Sequence, residues 1–385
     1  MTLELAKIGH QILEMGKALA ERARAEQSMR PAARLLLTRF AEEQERLLAV
    51  ANTEQARHLG CASPGPERLD IALPAAAMPE RVDVYAADGS QIYPDHHGLA
   101  FYFLVNVGGM VFRHGSGQAP ETMTSPSLFY REEEVYPEGQ PASADLVNAL
   151  RSVAELRALA AMAPAASREG PACVALGDGP LLFWLGRTEI ASKVQSEFLE
   201  QYLHHLSALR QACVPVGGFV SRPHSAEVVA LLYLAQPEAH PVAGLHETLF
   251  RGLTDRALFG FLGPGERSAL FVRGSMTNEH FARAGHSIWF FFLNTGEDVA
   301  RVEVPEWVAK RADWLELVHA VVYGQCRLNN GYPYVLTRAD ELAVIQGSER
   351  EILEGMLVQE MMRQGLQLPD LSRKAAQKRV ARWRK

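Results

Sequence analysis

The 385-residue chain has only four cysteines, and no two of them are close enough in sequence to form a CxxC pair. They are Cys61, Cys173, Cys213 and Cys326. This spacing argues against a zinc site and favours reduced thiols in the core of a cytoplasmic protein. The chain also has no apolar run long enough to cross a bilayer, and its charged N-terminus is unlike a signal peptide. We therefore expect a soluble, cytoplasmic protein.

Positive charge is not in excess, because the formal net charge is -6. This argues against a protein coated in basic residues, such as a histone-like DNA binder. It leaves a nuclease open, since catalytic carboxylates are themselves negative and a local basic strip can bind nucleic acid. Hydrophobic residues make up 48% of the chain and charged residues 22%, which favours a sizeable folded core over disorder.

A Walker motif is also missing. The segment GPGERS has the glycines of a phosphate loop without the Lys-Ser/Thr ending. The sequence therefore predicts no ATP hydrolysis by this chain.

Hydrophobic periodicity divides the chain into four segments. Apolar residues recur at steps of three and four near the N-terminus, as in an amphipathic helix. The segments are an N-terminal helical extension over 1–60 that can form a dimer contact, a Pro- and Ala-rich linker over 61–80, an α/β domain over 81–346, and a C-terminal helical basic tail over 347–385.

Within the third segment, short apolar strands alternate with helices, which predicts a mixed sheet covered by helices. Strands are expected at 82–87 and 172–176, and a helix from about 144 to 163. Two neighbouring strands are expected over residues 99–105 and 107–112, in a region broken by Gly108 and Gly109. A polar loop is expected over 114–126.

Two acids share one local setting, because Asp88 and Asp178 each follow an apolar strand and each precede a glycine. A strand holds such a carboxylate on rigid backbone, and glycine allows a sharp turn beside a ligand. Asp-Gly alone is also an ordinary turn signal. The pair favours a functional site because a third acid, Glu155, lies on the helix between them. The alternative for Glu155 is a surface ion pair with Arg151. The Glu132–Glu134 run is a further candidate, more typical of a solvated turn.

Clustered carboxylates suit phosphodiester cleavage, which needs an activated water and a neutralised leaving oxygen. Two metal ions roughly 3.5–4 Å apart supply both. Magnesium and manganese prefer oxygen ligands, and a buried cluster of acids is costly without cations. Such a cluster therefore makes physical sense when metal binds.

Several short motifs occur in an order that resembles the bacterial NurA family of nucleases. The resemblance runs from about Arg81 to Ile345. It is carried by VYAADGSQIYPDHHG with FYFLVNVG, then CVALGDGPLLFW, GGFVSRP, TDRALFGFLGPGERSALF and GYPYVLTRADELAVI.

This resemblance implies an RNase H-like mixed β-sheet core flanked by helices, with helical extensions at both ends. It implies a homodimer and a metal-dependent exonuclease and single-strand endonuclease that uses Mn²⁺ or Mg²⁺. The implied partner is HerA, a hexameric ATPase that translocates DNA during end resection and repair.

Carried over by position, the resemblance makes Asp88, Glu155 and Asp178 the metal ligands and catalytic residues. Asp340 stands where the family often has a histidine, and it is the fourth catalytic candidate. A carboxylate there can bind metal, but it cannot shuttle protons as histidine does. Tyr332 matches the tyrosine of a family Tyr-Pro pair and is a DNA-binding candidate.

Three basic residues are candidates for contact with DNA phosphates, namely Lys193, Arg222 and Arg267. For Arg267 the alternative is a salt bridge with Glu266 or Asp255. The tail adds seven basic residues and no acid after position 372, which suits contact with phosphates or with an acidic partner.

Two other functions remain open. The replacement of histidine by Asp340 is compatible with a scaffold that has lost catalysis and stimulates a partner ATPase. An RNase H-like enzyme that cleaves RNA or hybrids is the third alternative.

Overall fold

The computed structural model describes residues 4–163, 171–182 and 192–366. These residues divide into two compact units, which we describe separately. The first unit holds residues 4–79, 179–182 and 215–334, and the second holds 80–163, 171–178, 192–214 and 335–366.

The described residues form helices and strands in alternation. The α-helices are α1 (Gly9–Arg39), α2 (Gln44–Ala51), α3 (Glu54–Leu59), α4 (Glu132–Val135), α5 (Ala144–Met162), α6 (Ser192–Gln211), α7 (Glu227–Leu234), α8 (Asp255–Leu258), α9 (Met276–Arg283), α10 (Glu306–Ala309), α11 (Ala312–Leu328), α12 (Tyr334–Ala343) and α13 (Gly347–Arg363). The strands are β1 (Ser63–Pro64), β2 (Leu73–Pro74), β3 (Val82–Ile92), β4 (Phe103–His114), β5 (Glu121–Phe129), β6 (Ala172–Asp178), β7 (Val216–Val220), β8 (Glu266–Arg267), β9 (Phe271–Val272), β10 (Ile288–Asn294) and β11 (Val299–Pro305).

The second unit is built on four strands in the order β5-β4-β3-β6. β3, β4 and β5 form an antiparallel meander, and β6 pairs parallel to β3. The long connection from β5 to β6 contains α5, which packs against β3 and β4. A mixed sheet of this order flanked by helices is the RNase H-like arrangement, so the predicted fold class is confirmed.

Residues 103–114 form one continuous strand, although two strands were predicted. The glycines at 108 and 109 lie inside β4 because helices approach the sheet closely there. A methyl group on Gly108 would lie 2.5 Å from both Ala339 O and Ala343 N of α12. A methyl group on Gly109 would lie 2.9 Å from the sulfur of Met162 in α5. Since neighbouring strand residues face opposite sides, α12 and α5 cover opposite faces of this sheet.

The predicted polar loop over 114–126 is partly a strand, because β5 begins at Glu121. β5 pairs with β4 along nine residue positions and contains Pro126 opposite Asn106. Proline in a strand belongs to an edge, where its missing N–H breaks no ladder bond. The polar alternation of this segment therefore reflects a half-exposed edge strand.

The first unit has its own antiparallel strands, in the order β1-β9-β10-β11-β7 with β2 and β8 paired beside β10. Its core is aromatic, and Phe259 stacks on Phe292 with ring centroids 4.7 Å apart. β1 and β2 lie within the segment predicted as a linker, and Leu69 of that segment is fully buried. Local composition could not reveal these strands, because their partners lie about 200 residues later.

Helix α1 is half packed and half exposed. Its C-terminal part buries Ala33, Leu36 and Leu37 in the core of the first unit. Its N-terminal part leaves Ile12, Met15 and other apolar residues more than half exposed. In the described part of the chain, no helix combines the length and apolarity needed to span a membrane.

All four cysteines are free. Cys61, Cys173 and Cys326 are buried, whereas Cys213 is exposed. Cys213 is therefore an exception to the predicted core location, because it lies in the turn after α6 with a positive φ of 57°.

Candidate active site

Asp88 and Asp178 come from neighbouring parallel strands. The register of β3 and β6 pairs Ala87 with Gly177, and the two aspartates are the next residues along each strand. Register-matched residues on adjacent strands lie about 4.8 Å apart and point to the same face. The sequence prediction that these two acids meet is consistent with this register.

Asp88 does not end its strand, as was expected. It lies inside β3, which continues to Ile92 through its pairing with β4. The parallel pairing with β6 is what stops at this point, because β6 ends at Asp178. Gly89 N–H donates to Asp88 Oδ1 at 2.8 Å and fixes the carboxylate. Gly179 follows Asp178 with a φ of +96°, a turn that favours glycine.

Glu155 reaches the strand from α5. A methyl group on Gly89 would lie only 2.6 Å from Glu155 Oε1, so glycine is what lets this carboxylate approach the β3 backbone. The Glu155 side chain is 17% exposed, and the i,i+4 partner Arg151 is 32% exposed. The i,i+4 pair with Arg151, considered as the alternative for Glu155, is therefore present, and it is partly buried against β3 and not at the surface.

Asp340 lies on α12, which packs on the sheet face opposite α5. Ser90 Oγ and Asn106 Nδ2 both donate to Ala343 O at the end of α12, the latter at 2.8 Å. Gly108, opposite Asp88 in the β3–β4 register, gives α12 the room to approach. Two side-chain hydrogen bonds and one glycine thus help to hold α12, the helix that carries Asp340, against the sheet.

The pKa of Asp88 is raised to about 6. Burial is the main cause, and the charges of Asp178 and Asp340 act in the same direction. The Gly89 N–H and the charge of Arg151 oppose the rise. Asp178 and Asp340 are therefore close enough to Asp88 to influence its ionisation.

The pKa of Glu155 is raised to about 8, again mainly through burial. Arg151 lowers it, whereas Asp88 and Asp178 raise it further. Asp88 thus interacts with every other predicted acid, and Glu155 interacts with the two strand aspartates. The four acids form one electrostatic cluster, which we call the acid cluster.

The acid cluster suits a hard divalent cation. Within residues 4–163, 171–182 and 192–366, no three His, Cys, Asp or Glu side chains already converge around one point as metal ligands would. Glu155 Oε1, however, is buried without a hydrogen-bond partner. Arg151 Nε, 3.4 Å away, satisfies that oxygen only in part, so a second cation can still stabilise it, and oxygen ligands suit Mn²⁺ and Mg²⁺. These residues therefore fit such an ion.

The other predicted site residues have different surroundings. Arg267 is 6% exposed, and its guanidinium bonds both carboxylate oxygens of Glu67 at 2.7 and 3.0 Å. That pairing leaves it unsuited to a phosphate contact, and it differs from both salt bridges considered as alternatives. Burial inside the first unit is the reason, because a buried guanidinium needs a carboxylate partner.

Arg222 and Tyr332 also belong to the first unit. The Arg222 side chain is 78% exposed and lies 3.4 Å from Asp298. Tyr332 packs edge-on against Phe219 with ring centroids 5.2 Å apart. Lys193 lies near the start of α6, and its side chain falls outside the described residues. The basic residues after position 372 fall outside them as well.

The acidic run Glu132–Glu134 forms the short exposed helix α4. Glu134 accepts hydrogen bonds from the N–H groups of Tyr130 and Arg131 and so caps that helix. This is the local, solvated role that the sequence favoured.

Sequence reasoning missed the role of Arg151, Ser90 and Asn106 around the acid cluster. Arg151 donates to Gly89 O at 3.2 Å, while the other two hold α12. The i,i+4 spacing of Arg151 and Glu155 was the one available signal, and it predicted a surface pair.

The RNase H-like sheet places Asp88 and Asp178 at register-matched positions of adjacent parallel strands, an arrangement that suits a nuclease of that fold. A family model described as "NurA domain" matches residues 82–345, about two thirds of the chain. The chain belongs to the NurA family of nucleases. No curated protein matches the sequence.

Solved structures similar to the chain include the NurA nuclease from Sulfolobus solfataricus. Its identity is 11%, the TM-score is 0.49, and the match covers 85% of this chain and 96% of that one. NurA bound to dAMP and manganese is 9% identical, with a TM-score of 0.34 and coverage of 72% and 88%. LC9-RNase H1 is 10% identical, with a TM-score of 0.21 and coverage of 44% and 78%. The family assignment rests on the sequence match.

Proposed function

We propose that this chain is a metal-dependent deoxyribonuclease that cleaves DNA ends and single strands. The observation that carries the proposal is the acid cluster, in which Asp88 and Asp178 occupy the next matched positions of two parallel strands. Burial and mutual repulsion raise the pKa values of Asp88 and Glu155, as expected for carboxylates that await a cation.

In this proposal Asp88, Glu155 and Asp178 hold the ion, and Asp340 is a further oxygen ligand or a polar neighbour. The ion is Mn²⁺ or Mg²⁺, because the donors are all carboxylates. Bound there, it supplies charge neutralisation at the phosphodiester and lowers the pKa of attacking water. The chain's own contribution is to hold the carboxylates on rigid strands and to hold Glu155 against Gly89.

The partners we propose are DNA, a HerA-type hexameric ATPase and a second copy of this chain. The missing Walker motif supports a separate ATPase, since strand translocation needs an energy source. Arg222 and Lys193 are the phosphate-binding candidates that we retain, together with Tyr332. Free thiols agree with a cytoplasmic location.

The exposed half of α1 supports the second copy. Ile12, Met15 and Leu19 are each at least 51% exposed and recur at steps of three and four residues. Such a seam is typical of helix pairing. Pairing of two α1 helices would remove this surface from water, which supplies the driving force.

The experiment is a nuclease assay on end-labelled single-stranded DNA, duplex DNA, RNA and hybrid, with Mn²⁺, Mg²⁺ or EDTA. We expect metal-dependent cleavage of DNA and a loss of at least about 1000-fold in Asp88→Asn and Asp178→Asn. Glu351→Gln, an exposed acid on α13, is the matched control and should cleave like wild type. Undiminished cleavage by either aspartate variant, with unfolding midpoints unchanged, would refute this site.

A scaffold without catalysis is the second candidate. It is favoured by Asp340 in place of the histidine and by the absence, among the described residues, of three acids already converged on one point. A scaffold would leave all four substrates intact at every metal concentration and still raise the ATPase rate of the partner. Preferential cleavage of RNA or hybrid would instead identify the third alternative.

A further inference from the structure

Helix α5 presents the guanidinium of Arg151 and the carboxyl group of Glu155 to the same backbone segment. Arg151 Nη1 donates to Gly89 O at 3.2 Å, and Arg151 Nε lies 3.4 Å from Glu155 Oε1. A side chain at position 89 would overlap both residues, since its Cβ would lie 2.6 Å from Glu155 Oε1 and 2.7 Å from Arg151 Cγ. Gly89 therefore packs the pair directly beside Asp88.

The pair is in ion-pair range, yet its hydrogen bonding is incomplete. Both Arg151 Nε and Glu155 Oε1 are buried without a hydrogen-bond partner. A buried charge pair is well stabilised only when its remaining polar atoms are satisfied. A further partner would therefore stabilise each atom. A cation suits Glu155 Oε1, and an anion suits Arg151 Nε.

Arg151 also acts on the rest of the acid cluster. Its guanidinium donates to the carbonyl of Gly89, the residue that follows Asp88, and lies 3.4 Å from Glu155 Oε1, so its positive charge sits beside two of the acids. The guanidinium thus offsets part of the repulsion among the carboxylates. A divalent cation would compete with Arg151 for the same oxygen.

We propose that Arg151 is a positioning residue that offsets the charge of the acid cluster before metal binds. When metal binds, Arg151 releases Glu155 to the metal and contacts a DNA phosphate. This inference rests on the proposed function. The Gly89 carbonyl retains Nη1, so the guanidinium stays beside the cluster when Glu155 turns away. Its planar fork suits phosphate oxygens, and its 32% exposure leaves a side open to substrate.

The competition makes a prediction that a purely structural role does not. In Arg151→Gln, Mn²⁺ measured by calorimetry without DNA should bind about 3- to 30-fold more tightly than in wild type. In the same variant the KM for a single-stranded oligonucleotide should rise about 10-fold or more. Arg151→Lys keeps the charge without the fork, so its Mn²⁺ affinity should stay near wild type while its KM recovers only in part.

A double-mutant cycle assigns the effect to Glu155. In a Glu155→Gln background, the further change Arg151→Gln should tighten Mn²⁺ binding less than it does in the wild type. Arg157→Gln, an exposed arginine on the same helix, is the matched control and should leave Mn²⁺ affinity unchanged. Thermal unfolding of each metal-free variant verifies that it is folded.

The outcomes separate this inference from the proposed function. Weaker or unchanged Mn²⁺ binding in Arg151→Gln, with binding still lost in Asp88→Asn, would overturn the role of Arg151 and leave the metal site intact. Mn²⁺ binding that is the same in wild type, Asp88→Asn and Glu155→Gln would overturn both. Tighter Mn²⁺ binding together with a raised KM for DNA in Arg151→Gln would support the proposal that Arg151 exchanges Glu155 for a phosphate.

Discussion

Asp88 lies directly opposite Gly108 in the antiparallel pair of β3 and β4, so both face the side of the sheet that α12 covers. β3, which carries Asp88, is therefore hydrogen-bonded to β4, whose Gly108 makes room for α12 and so for Asp340. Site assembly and helix packing depend on the same two strands.

Gly108→Ala should separate α12 from the sheet. The new methyl group would lie 2.5 Å from backbone atoms of Ala339 and Ala343, which cannot move aside as a flexible side chain can. We expect a loss of about 1–3 kcal/mol in the free energy of unfolding, together with reduced cleavage, because Asp340 moves with α12. Denaturant titration and the nuclease rate measure the two effects.

Gly177→Ala is the matched control for that change. It adds the same methyl group to a strand glycine beside Asp178, where no heavy atom lies within 4 Å. Its stability should stay within about 0.5 kcal/mol of wild type. Equal stabilities for the two variants would show that α12 does not need the glycine.

The metal-free protein should lose stability as pH rises. Glu155 has a folded-state pKa of about 8, above its ordinary value of 4.5, so between these values the folded protein holds a proton that the unfolded chain has released. Glu155 therefore lowers the free energy of unfolding by at most about 1.4 kcal/mol for each unit that the pH rises. Asp88, with a pKa of about 6, acts in the same direction over a lower range.

Thermal unfolding in EDTA between about pH 5 and about pH 8 tests this slope. Glu155→Gln should flatten the dependence of stability on pH. Adding Mn²⁺ to the wild-type protein at about pH 8 should restore the stability that it loses in EDTA, because the ion neutralises the ionised cluster. Glu341→Gln changes an exposed acid next to Asp340 and should keep the wild-type slope. A slope shared by wild type and Glu155→Gln would contradict the burial of this carboxylate.

Asp255 should be a strong stabilising residue of the first unit. It is fully buried, and its carboxylate accepts hydrogen bonds from the N–H groups of Glu227, Val228 and Val229 at 2.8–3.0 Å. These donors open α7, where the helix itself offers them no partner. Asp255→Ala should lower the free energy of unfolding by roughly 2–4 kcal/mol.

Denaturant titration checks the effect against Asp313→Ala, an acid in the first turn of α11 that is 64% exposed. That control should change stability by less than about 0.5 kcal/mol, because solvent replaces its contacts. Similar losses in the two variants would mean that burial of the Asp255 network contributes little.

The exposed stripe of α1 predicts self-association. Ile12→Lys places a charge in the stripe and should shift the protein from dimer to monomer in sedimentation experiments. Glu21→Lys adds the same side chain on the opposite side of the helix and should leave the dimer unchanged. If the wild-type protein is monomeric at every concentration tested, the proposed contact between two α1 helices is wrong.

Local patterns predicted much of the second unit correctly. α5 begins at the expected residue 144, and β6 covers the expected apolar strand. Asp88 and Asp178 stood out because each joins an apolar run to a glycine, a signal contained in three or four adjacent residues. Periodicity and turn chemistry of this kind act over short distances, so they can be read from the chain alone.

Other features were mispredicted because their causes are distant in sequence. β4 runs through two glycines because α12 and α5 pack there, and β5 is a strand because β4 provides its hydrogen bonds. Arg267 was predicted to contact phosphate, but a carboxylate 200 residues earlier holds it in the interior. None of these partners leaves a trace in the local pattern.

The sequence by itself determined which carboxylates are available and which strands and helices carry them. Only the tertiary structure decided that Asp178 at the end of β6 is in register with Asp88 of β3, that α12 packs on the face toward which Asp88 points, and that Arg151 shares the burial of Glu155. The physical reason is that strand register and helix packing minimise the free energy of the whole fold, whereas propensity and periodicity reflect only a few neighbouring residues.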